Sequence, residues 1–176
     1  MAEEARSAPE IMAYLTKVIT TKGPDDYVAA ISKVPRHIVR IYAIHMCVCE
    51  VNNGGFLQLF WNSVGVLVPE AIEGFKTIGM PTMAAILCEA AQPLGDLYPR
   101  DRDDRWDALL HASGLNEAEL ETIFKTEDNF YIAFVKATKS LPFDDLNDQF
   151  WDAVKTENGG FETAATRYAQ NPFPLQ

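Results

Sequence analysis

Side chains that commonly bind metal ions lie close together just before residue 50: His45, Cys47, Cys49 and Glu50. A tetrahedral metal site needs several such ligands to converge on one point. Each residue of a helix advances by about 100°, so Cys47 and Cys49 point about 200° apart and cannot share one ion. Only His45 and Cys49 share a face, and two ligands do not close a site. We therefore predict no metal ion and no other cofactor, and we expect this histidine and the thiols to be core residues.

Amide side chains and glycines follow directly, in the run Asn52-Asn53-Gly54-Gly55, with Gln58 and Asn62 beyond it. A helix that starts here could offer backbone N–H groups to an anion. However, the run matches neither a phosphate-binding loop nor a dinucleotide fingerprint, and the lysine of a phosphate loop is missing. No cysteine or serine carries the local signature of a nucleophile, so we predict no catalytic residues and no enzyme. The alternative is a small-ligand-binding or enzymatic pocket formed by these amides at residues 52–62.

Carboxylates recur at helical spacing in the second half of the chain. The residues concerned are Glu117 and Glu121 on one predicted helix, and Asp144, Asp145, Asp148 and Asp152 on a later one. Residues four apart line one face of a helix at intervals of about 6 Å. Like charges at this spacing destabilise an isolated helix by a few tenths of a kcal/mol. The pattern therefore indicates either a well-solvated face or a display of negative charge toward a basic partner.

The net charge of −10 belongs almost entirely to the second half of the chain. Residues 1–88 hold eight acids and seven bases, whereas residues 89–176 hold seventeen acids and eight bases. A field of this sign repels nucleic acid and favours basic partners. Phosphate contacts would require clustered lysine and arginine. We therefore expect no direct binding of nucleic acid.

Length and composition favour one soluble domain over residues 1–176, because 48% of the residues are hydrophobic and 23% are charged. No apolar run approaches the ~20 residues that cross a membrane. The first residues lack the apolar segment of a secretory signal. Three cysteines, an odd number, argue against a disulfide framework. These features predict a cytoplasmic protein without membrane contacts.

The positions of apolar residues predict the elements that carry these side chains. Apolar residues recur at helical intervals, and no stretch alternates convincingly as a strand does. Prolines and glycines divide the chain into about eight to ten helices, which predicts an all-α, single-domain bundle. The longest helix should run from Pro35 to about Asn52, and its expected core face is Ile38, Ile41, Tyr42, His45 and Cys49. Residues 93–104, with two prolines, a glycine and alternating charges, should form an exposed loop.

The end of this long helix is the most specific pattern in the sequence. We expect Asn53 and Gly54 to end the helix, because glycine reaches positive φ without a Cβ penalty. Gly55 should start the next helix, and Gln58 should reach back to its unpaired N–H groups. Aromatic side chains should fix this corner to the core: Phe56, Phe60 and Trp61.

The same segment resembles the signature of a family of small, acidic, all-helical bacterial proteins of mostly unknown function that includes a DNA mimic. The residues that carry the resemblance are Glu50, Asn52, Asn53, Gly54, Gly55, Phe56, Gln58, Trp61, Asn62 and Gly65. A weaker similarity extends over about residues 35–170. The resemblance implies an all-helical fold, a cytoplasmic location and no known enzymatic activity. For the mimic in the family, it implies carboxylates that imitate DNA phosphates on the DNA-binding face of a transcription factor.

These observations lead to one main functional prediction. We expect a non-enzymatic interaction protein, a candidate DNA mimic, that presents its six spaced carboxylates to a basic DNA-binding protein. In this interpretation the motif at residues 50–65 is structural. An immunity-like or antitoxin-like protein would show the same sequence features, and a homodimer is compatible with them.

Overall fold

The computed structural model describes residues 7–170, which form ten α-helices and three short 3-10 helices. The α-helices are α1 Ala8–Thr21, α2 Pro24–Ile31, α3 Arg36–Trp61, α4 Val68–Thr77, α5 Pro81–Ala91, α6 Arg102–Ala112, α7 Glu117–Thr126, α8 Phe130–Ala137, α9 Phe143–Thr156 and α10 Phe161–Gln170. The 3-10 helices are Ser63–Leu67, Gln92–Leu94 and Glu157–Gly159. Residues 7–170 contain no strand. The predicted all-α bundle of eight to ten helices is confirmed. No helix within these residues is long and apolar enough to cross a membrane.

Helix α3 lies at the centre of the bundle and packs against α4, α6, α9 and α10. Its predicted core face is partly wrong, because His45 is exposed and Cys49 is only half-buried. The buried residues of this face are Val39, Tyr42, Ala43, Ile44, Cys47, Val48 and Val51, whereas Ile38 and Ile41 are only partly buried. Helix α4 approaches this face closely, since a Cβ on Gly74 would lie 2.5 Å from the Cγ2 atom of Ile44.

The segment predicted as an exposed loop, residues 93–104, is instead attached to the core. Leu94 is buried, and the Tyr98 hydroxyl donates a hydrogen bond of 2.7 Å to the carbonyl of Gly65. The Arg100 guanidinium donates to both carboxylate oxygens of Glu70 on α4, at 2.7 and 3.0 Å. Leu94, Tyr98 and Arg100 therefore attach the segment to the core, whereas residues 95–97 and 102–104 are exposed as expected.

Arg105 of α6 is the largest of the fully buried side chains, with 1% of its surface exposed. Its Nε donates to the carbonyl of Phe60 at 3.0 Å, and its Nη2 donates to the carbonyl of Asn62 at 2.8 Å. Its Nη1 donates to the carbonyl of Arg100 at 2.6 Å. Burial lowers the pKa of Arg105, but a guanidinium remains charged in proteins. The carbonyls at the C-terminal end of α3 carry the negative end of the helix dipole and stabilise this charge.

Gly65 gives the Arg105 guanidinium the space it needs beside the end of α3. A Cβ at this position would lie 2.7 Å from the Nε of Arg105 and 2.8 Å from the carbonyl oxygen of Leu59. The neighbouring Trp106 adds a hydrogen bond of 3.1 Å from its Nε1 to the carbonyl of Trp61. Helix α6 therefore provides donors for three carbonyls at the end of α3 that the helix itself leaves without partners.

We expect the substitution Arg105→Met to lower the free energy of unfolding by about 3–5 kcal/mol, because several buried carbonyls lose their donor at once. Chemical denaturation monitored by circular dichroism measures this difference. Arg102→Met on the same helix is the matched control, since Arg102 is exposed and lies over the ring of Trp106 and beside the carboxylate of Asp103. It should cost at most about 1 kcal/mol. Equal losses in the two variants would contradict this role of Arg105.

Candidate functional site

The glycine motif interrupts α3 and divides it into two helical segments at a kink. Gly54 has φ −164° and ψ 23°, and Gly55 has φ 74° and ψ −173°. Only Gly55 has a left-handed φ, which strains any residue that has a Cβ. A Cβ on Gly55 would also lie 2.4 Å from the Nδ2 atom of Asn147. The predicted interruption is confirmed: α3 consists of two helical segments, 36–53 and 56–61, that join at the two non-helical glycines.

The backbone N–H that the kink releases is bound by a side chain from α9. Asn147 Oδ1 accepts a hydrogen bond of 2.8 Å from the backbone N–H of Phe56. The sequence analysis missed this contact, which joins residues 91 positions apart. The sequence feature that could have indicated this contact is the position of Asn147, a polar residue directly after Leu146 and three residues before Phe150, both of which are buried. Asn147 therefore fixes the register of α9 against the kink in α3.

Glu50, Gln58 and Asn62 form a hydrogen-bonded cluster across the kink. The Nε2 of Gln58 and the Nδ2 of Asn62 both donate to Glu50 Oε2, at 3.0 and 2.8 Å. The prediction that Gln58 caps the N–H groups of a new helix is wrong. Asn147 takes the released N–H of Phe56 instead, and the Gln58 side chain lies against Gly54, where a Cβ would be 2.2 Å from its Oε1.

The amides of the motif do not converge on one cavity. The side-chain donors of Gln58 and Asn62 are bound to Glu50, and Asn53 is exposed. Asn52 lines an open cavity of about 540 Å³ at the contact of α3, α9 and α10, together with Trp151 and other residues. The geometry thus gives little support to a ligand pocket built from the motif as a whole.

Aromatic side chains surround the second half of α3. Phe56 and Phe60 are fully buried, and Phe56 meets Phe150 of α9 edge to face at a centroid distance of 5.3 Å. Trp61 stacks on Trp106 of α6 at 4.1 Å with an angle of 16° between the rings. The aromatic residues therefore attach the kinked segment to α9 on one side and to α6 on the other.

The six spaced carboxylates are all exposed, but they lie on two separate helices: Glu117 and Glu121 on α7, and Asp144, Asp145, Asp148 and Asp152 on α9. The opposite face of α9 is buried through Phe143, Leu146, Phe150 and Ala153. Helix α9 packs against α3 and α5, whereas α7 packs against α8. The structure therefore places the four aspartates together and does not bring the α7 pair into extensive contact with them.

The four aspartates of α9 also differ from the α7 pair in their ionic partners. Glu121 forms an i,i+4 ion pair with Lys125. Within residues 7–170, none of the α9 aspartates takes part in an ion pair with a lysine, arginine or histidine. Their negative charge is therefore not compensated by a direct contact within the described part of the protein.

The metal-ligand candidates do not form a site. The Sγ of Cys49 lies 3.8 Å from the Nε2 of His45, on the outer side of α3. Cys47 is buried on the opposite side, and burial raises the pKa of its thiol. Cys88, on α5, is exposed. The described residues include no group of three or more histidine, cysteine, aspartate or glutamate side chains that could hold an ion.

These features define a small all-helical protein with a glycine-kinked central helix and a negatively charged second half. The sequence model of the family described as DMP19-like protein matches residues 32–171, and the chain belongs to that family. The match agrees closely with the range of about 35–170 expected from the resemblance. No curated protein and no solved structure matches the chain.

The contact between Asn147 and Phe56 leads to a stability prediction. Asn147→Leu should lower the free energy of unfolding by about 1–3 kcal/mol, because the N–H of Phe56 loses its acceptor. Asn147→Asp keeps an acceptor oxygen in the same place and should cost clearly less. Thermal or chemical denaturation of both variants measures the difference. If Asn147→Asp costs as much as Asn147→Leu, the hydrogen bond is not the reason for the asparagine.

Proposed function

We propose that this protein is a non-enzymatic interaction protein that acts as a DNA mimic and occupies the basic DNA-binding face of a partner such as a transcription factor. Membership of the DMP19-like family supports this class, because the family that the motif resembles includes a DNA mimic. The single observation that carries the proposal is the row of exposed aspartates on α9, which form no ion pair within residues 7–170.

The spacing of this row is close to the charge spacing of DNA. From Asp144 to Asp152 the helix rises by about 12 Å, so its four carboxylates supply on average roughly one charge per 3–4 Å of helix axis, with Asp144, Asp148 and Asp152 about 6 Å apart on one face and Asp145 about 100° to the side. One strand of B-DNA carries one phosphate per about 3.4 Å of helix axis. Lysine and arginine side chains that contact successive phosphates could therefore contact successive aspartates of α9.

The row is also preorganised. The buried face of α9 and the hydrogen bond from Phe56 to Asn147 hold the helix in one orientation. Aspartate is short and loses less conformational entropy on binding than glutamate. A rigid display of charge binds more tightly than a flexible one, because less order must be created in the complex. The motif in α3 would thus support function indirectly, through the position of α9.

The α7 pair would form a second, weaker part of the surface. Glu117 is exposed in the first turn of α7, and Glu121 is held by Lys125. An exposed ion pair contributes about 1 kcal/mol or less, so a basic side chain of the partner can replace Lys125 at little cost. We therefore expect the α9 row to provide more of the affinity than the α7 pair.

The mechanism would be competition for the DNA-binding face of the partner. Clustered negative charge accelerates the encounter with a basic surface, and salt screens this attraction. The same physics applies to an immunity-like or antitoxin-like complex with a basic protein. Displacement by duplex DNA separates these cases, because only a mimic competes with DNA for its partner.

Affinity capture from bacterial lysate at low salt, followed by elution with duplex DNA, tests this function. We expect a DNA-binding protein that duplex DNA releases. In a direct binding assay, the triple variant Asp144→Lys, Asp148→Lys and Asp152→Lys should bind it about 100-fold more weakly.

The matched control reverses three exposed acids elsewhere, Glu89→Lys, Asp96→Lys and Asp107→Lys, and so changes the net charge equally. It should weaken binding by less than about threefold at physiological salt, where distant charges are screened. A complex that resists duplex DNA, or that responds equally to both triple variants, would rule out mimicry by α9.

The homodimer with which the sequence is compatible has a candidate face at the start of α8. Phe130, Tyr131 and Ile132 are 52%, 36% and 48% exposed, and contiguous exposed apolar side chains are typical of contact surfaces. We propose that two copies of the chain associate through this turn. Sedimentation velocity should show that Ile132→Lys shifts a dimer toward monomer, whereas Val28→Lys, an exposed apolar site on α2, does not. A wild-type monomer, or a dimer that survives Ile132→Lys, would exclude this face.

A further inference from the structure

The open cavity of about 540 Å³ between α3, α9 and α10 has a largely apolar wall. The apolar side chains that line it are Val48 of α3, Trp151 and Val154 of α9, and Phe161 of α10. Its volume lies within the usual range of binding clefts, about 300–1,000 Å³. The cavity lies beside the aspartates of α9, and the display of charge described above makes no use of it.

Trp151 differs from the other two tryptophans of the chain in its contacts. Trp61 and Trp106 stack on each other, and the Trp106 indole donates a hydrogen bond to a backbone carbonyl. Trp151 is half-buried, and among residues 7–170 its ring has no aromatic partner and its N–H has no acceptor. The Nε1 atom is not enclosed by the protein. An accessible indole that combines an apolar ring with an available donor is typical of the residues that dominate protein interfaces.

Trp151 stands at the edge of the aspartate row. It follows Asp148 by three residues and Asp144 by seven, so the three side chains lie on neighbouring strips of one helix face. The charged residues that line the cavity are Lys155 and Glu162, both exposed and of opposite sign. The lining is therefore close to neutral, and the aspartates determine the charge that an approaching surface meets. A surface that enters the cavity must at the same time face these carboxylates, which favours a basic one.

We propose that this cavity receives an apolar side chain from a basic protein segment whose lysines and arginines contact the α9 aspartates. The inference rests on the proposed function and deepens it, because it states how the partner is selected. Negative charge attracts basic surfaces in general, whereas a partner is selected by the difference between its affinity and that of its competitors. Burial of apolar surface against Trp151 supplies such a difference, and salt does not screen it.

The charge of the surroundings separates this occupant from others. A second copy of the chain would bring a net charge of −10 toward the aspartates, and nucleic acid would be repelled by them. A purely basic segment would leave the apolar wall in water, and a purely apolar one would leave the aspartates without a counter-charge. A basic segment with one apolar side chain satisfies both parts of the surface.

Two synthetic helical peptides test the cavity without the natural partner. Both carry an arginine at every fourth position, and one carries a leucine on the same face where the other carries an alanine. Fluorescence anisotropy at low salt should show that the wild type binds the leucine peptide about tenfold more tightly. Trp151→Ala should abolish this preference and keep the weaker binding that the arginines provide. Equal affinities of the wild type for the two peptides, or a preference that survives Trp151→Ala, would overturn the proposal.

The DNA-binding protein expected from affinity capture provides a second arm. Trp151→Ala should weaken its binding about 30-fold, the loss typical of an interface hot spot, without changing the salt dependence of the affinity. If duplex DNA releases the captured protein but Trp151→Ala binds it as the wild type does, mimicry stands and the cavity proposal is wrong. If no such protein is captured, the proposed function fails, and the preference for the leucine peptide alone decides the cavity.

Trp151→Phe separates recognition from a structural role. It keeps an apolar ring and should recover most of the preference for the leucine peptide, while circular dichroism checks that all variants are folded. Leu97→Ala is the control, since Leu97 is an exposed apolar residue outside the cavity lining, and it should bind both peptides as the wild type does.

Two further outcomes would assign the cavity to another occupant and overturn the proposal. A change in the sedimentation coefficient of the protein with Trp151→Ala would assign it to a second copy of the chain. A preference for the leucine peptide that emerges only after removal of residues 171–176 would assign it to the C-terminal residues of the chain itself.

Discussion

The contact between the Arg105 guanidinium and the C-terminal carbonyls of α3 is the constraint on which the rest of the structure depends. It places a full positive charge against the negative end of a helix dipole, and within residues 7–170 this charge has no carboxylate ion pair. Several features follow from it. Residue 65 must be a glycine, because a Cβ there would meet the guanidinium. The segment before α6 must turn so that the Arg100 carbonyl reaches the same guanidinium. The next residue of α6, Trp106, then stacks on Trp61. The buried Arg105 guanidinium thus joins the glycine-kinked helix α3, the 3-10 helix after it and α6.

Asn147 performs the corresponding role at the other end of the kinked segment. It satisfies the N–H that Gly55 releases at Phe56, while Arg105 satisfies the carbonyl of Phe60 four residues later. The segment between them is therefore held on both sides by side chains from distant helices, and the buried ring of Phe56 completes the contact with α9. The family motif on α3 and the aspartates on α9 lie in different places. The motif nevertheless helps to orient the aspartates, because Phe56 of the motif contacts Asn147 and Phe150 of α9.

Local signals in the sequence predict local structure well here and long-range structure poorly. Helix boundaries follow from proline, glycine and capping residues, as in the reciprocal hydrogen bonds between Asn116 and Glu119 at the start of α7. Arg105 could not be predicted in this way, because it stands in an alternating charged run that is typical of solvent-exposed chain. Its burial depends on carbonyls more than 40 residues away. Gln58 and Glu50 are eight residues apart across a kink, so helical spacing does not predict their contact. The α9 aspartates were recognisable from spacing alone, whereas their lack of ion pairs needed the fold.

That lack of ion pairs has a physical origin in where the basic residues of the second half are used. Arg105 is buried against carbonyls, and Arg100 is held by Glu70 of the first half. Lys125 and Lys136 pair with Glu121 and Glu127 on the α7 side of the protein. Four of the eight basic residues beyond residue 88 are therefore engaged away from α9. Lys155 lies in the last turn of α9 but forms no ion pair with these aspartates within residues 7–170. A basic partner would meet carboxylates that have no ion-pair partner in the described part of the protein, which is the condition under which an added lysine or arginine gains the most.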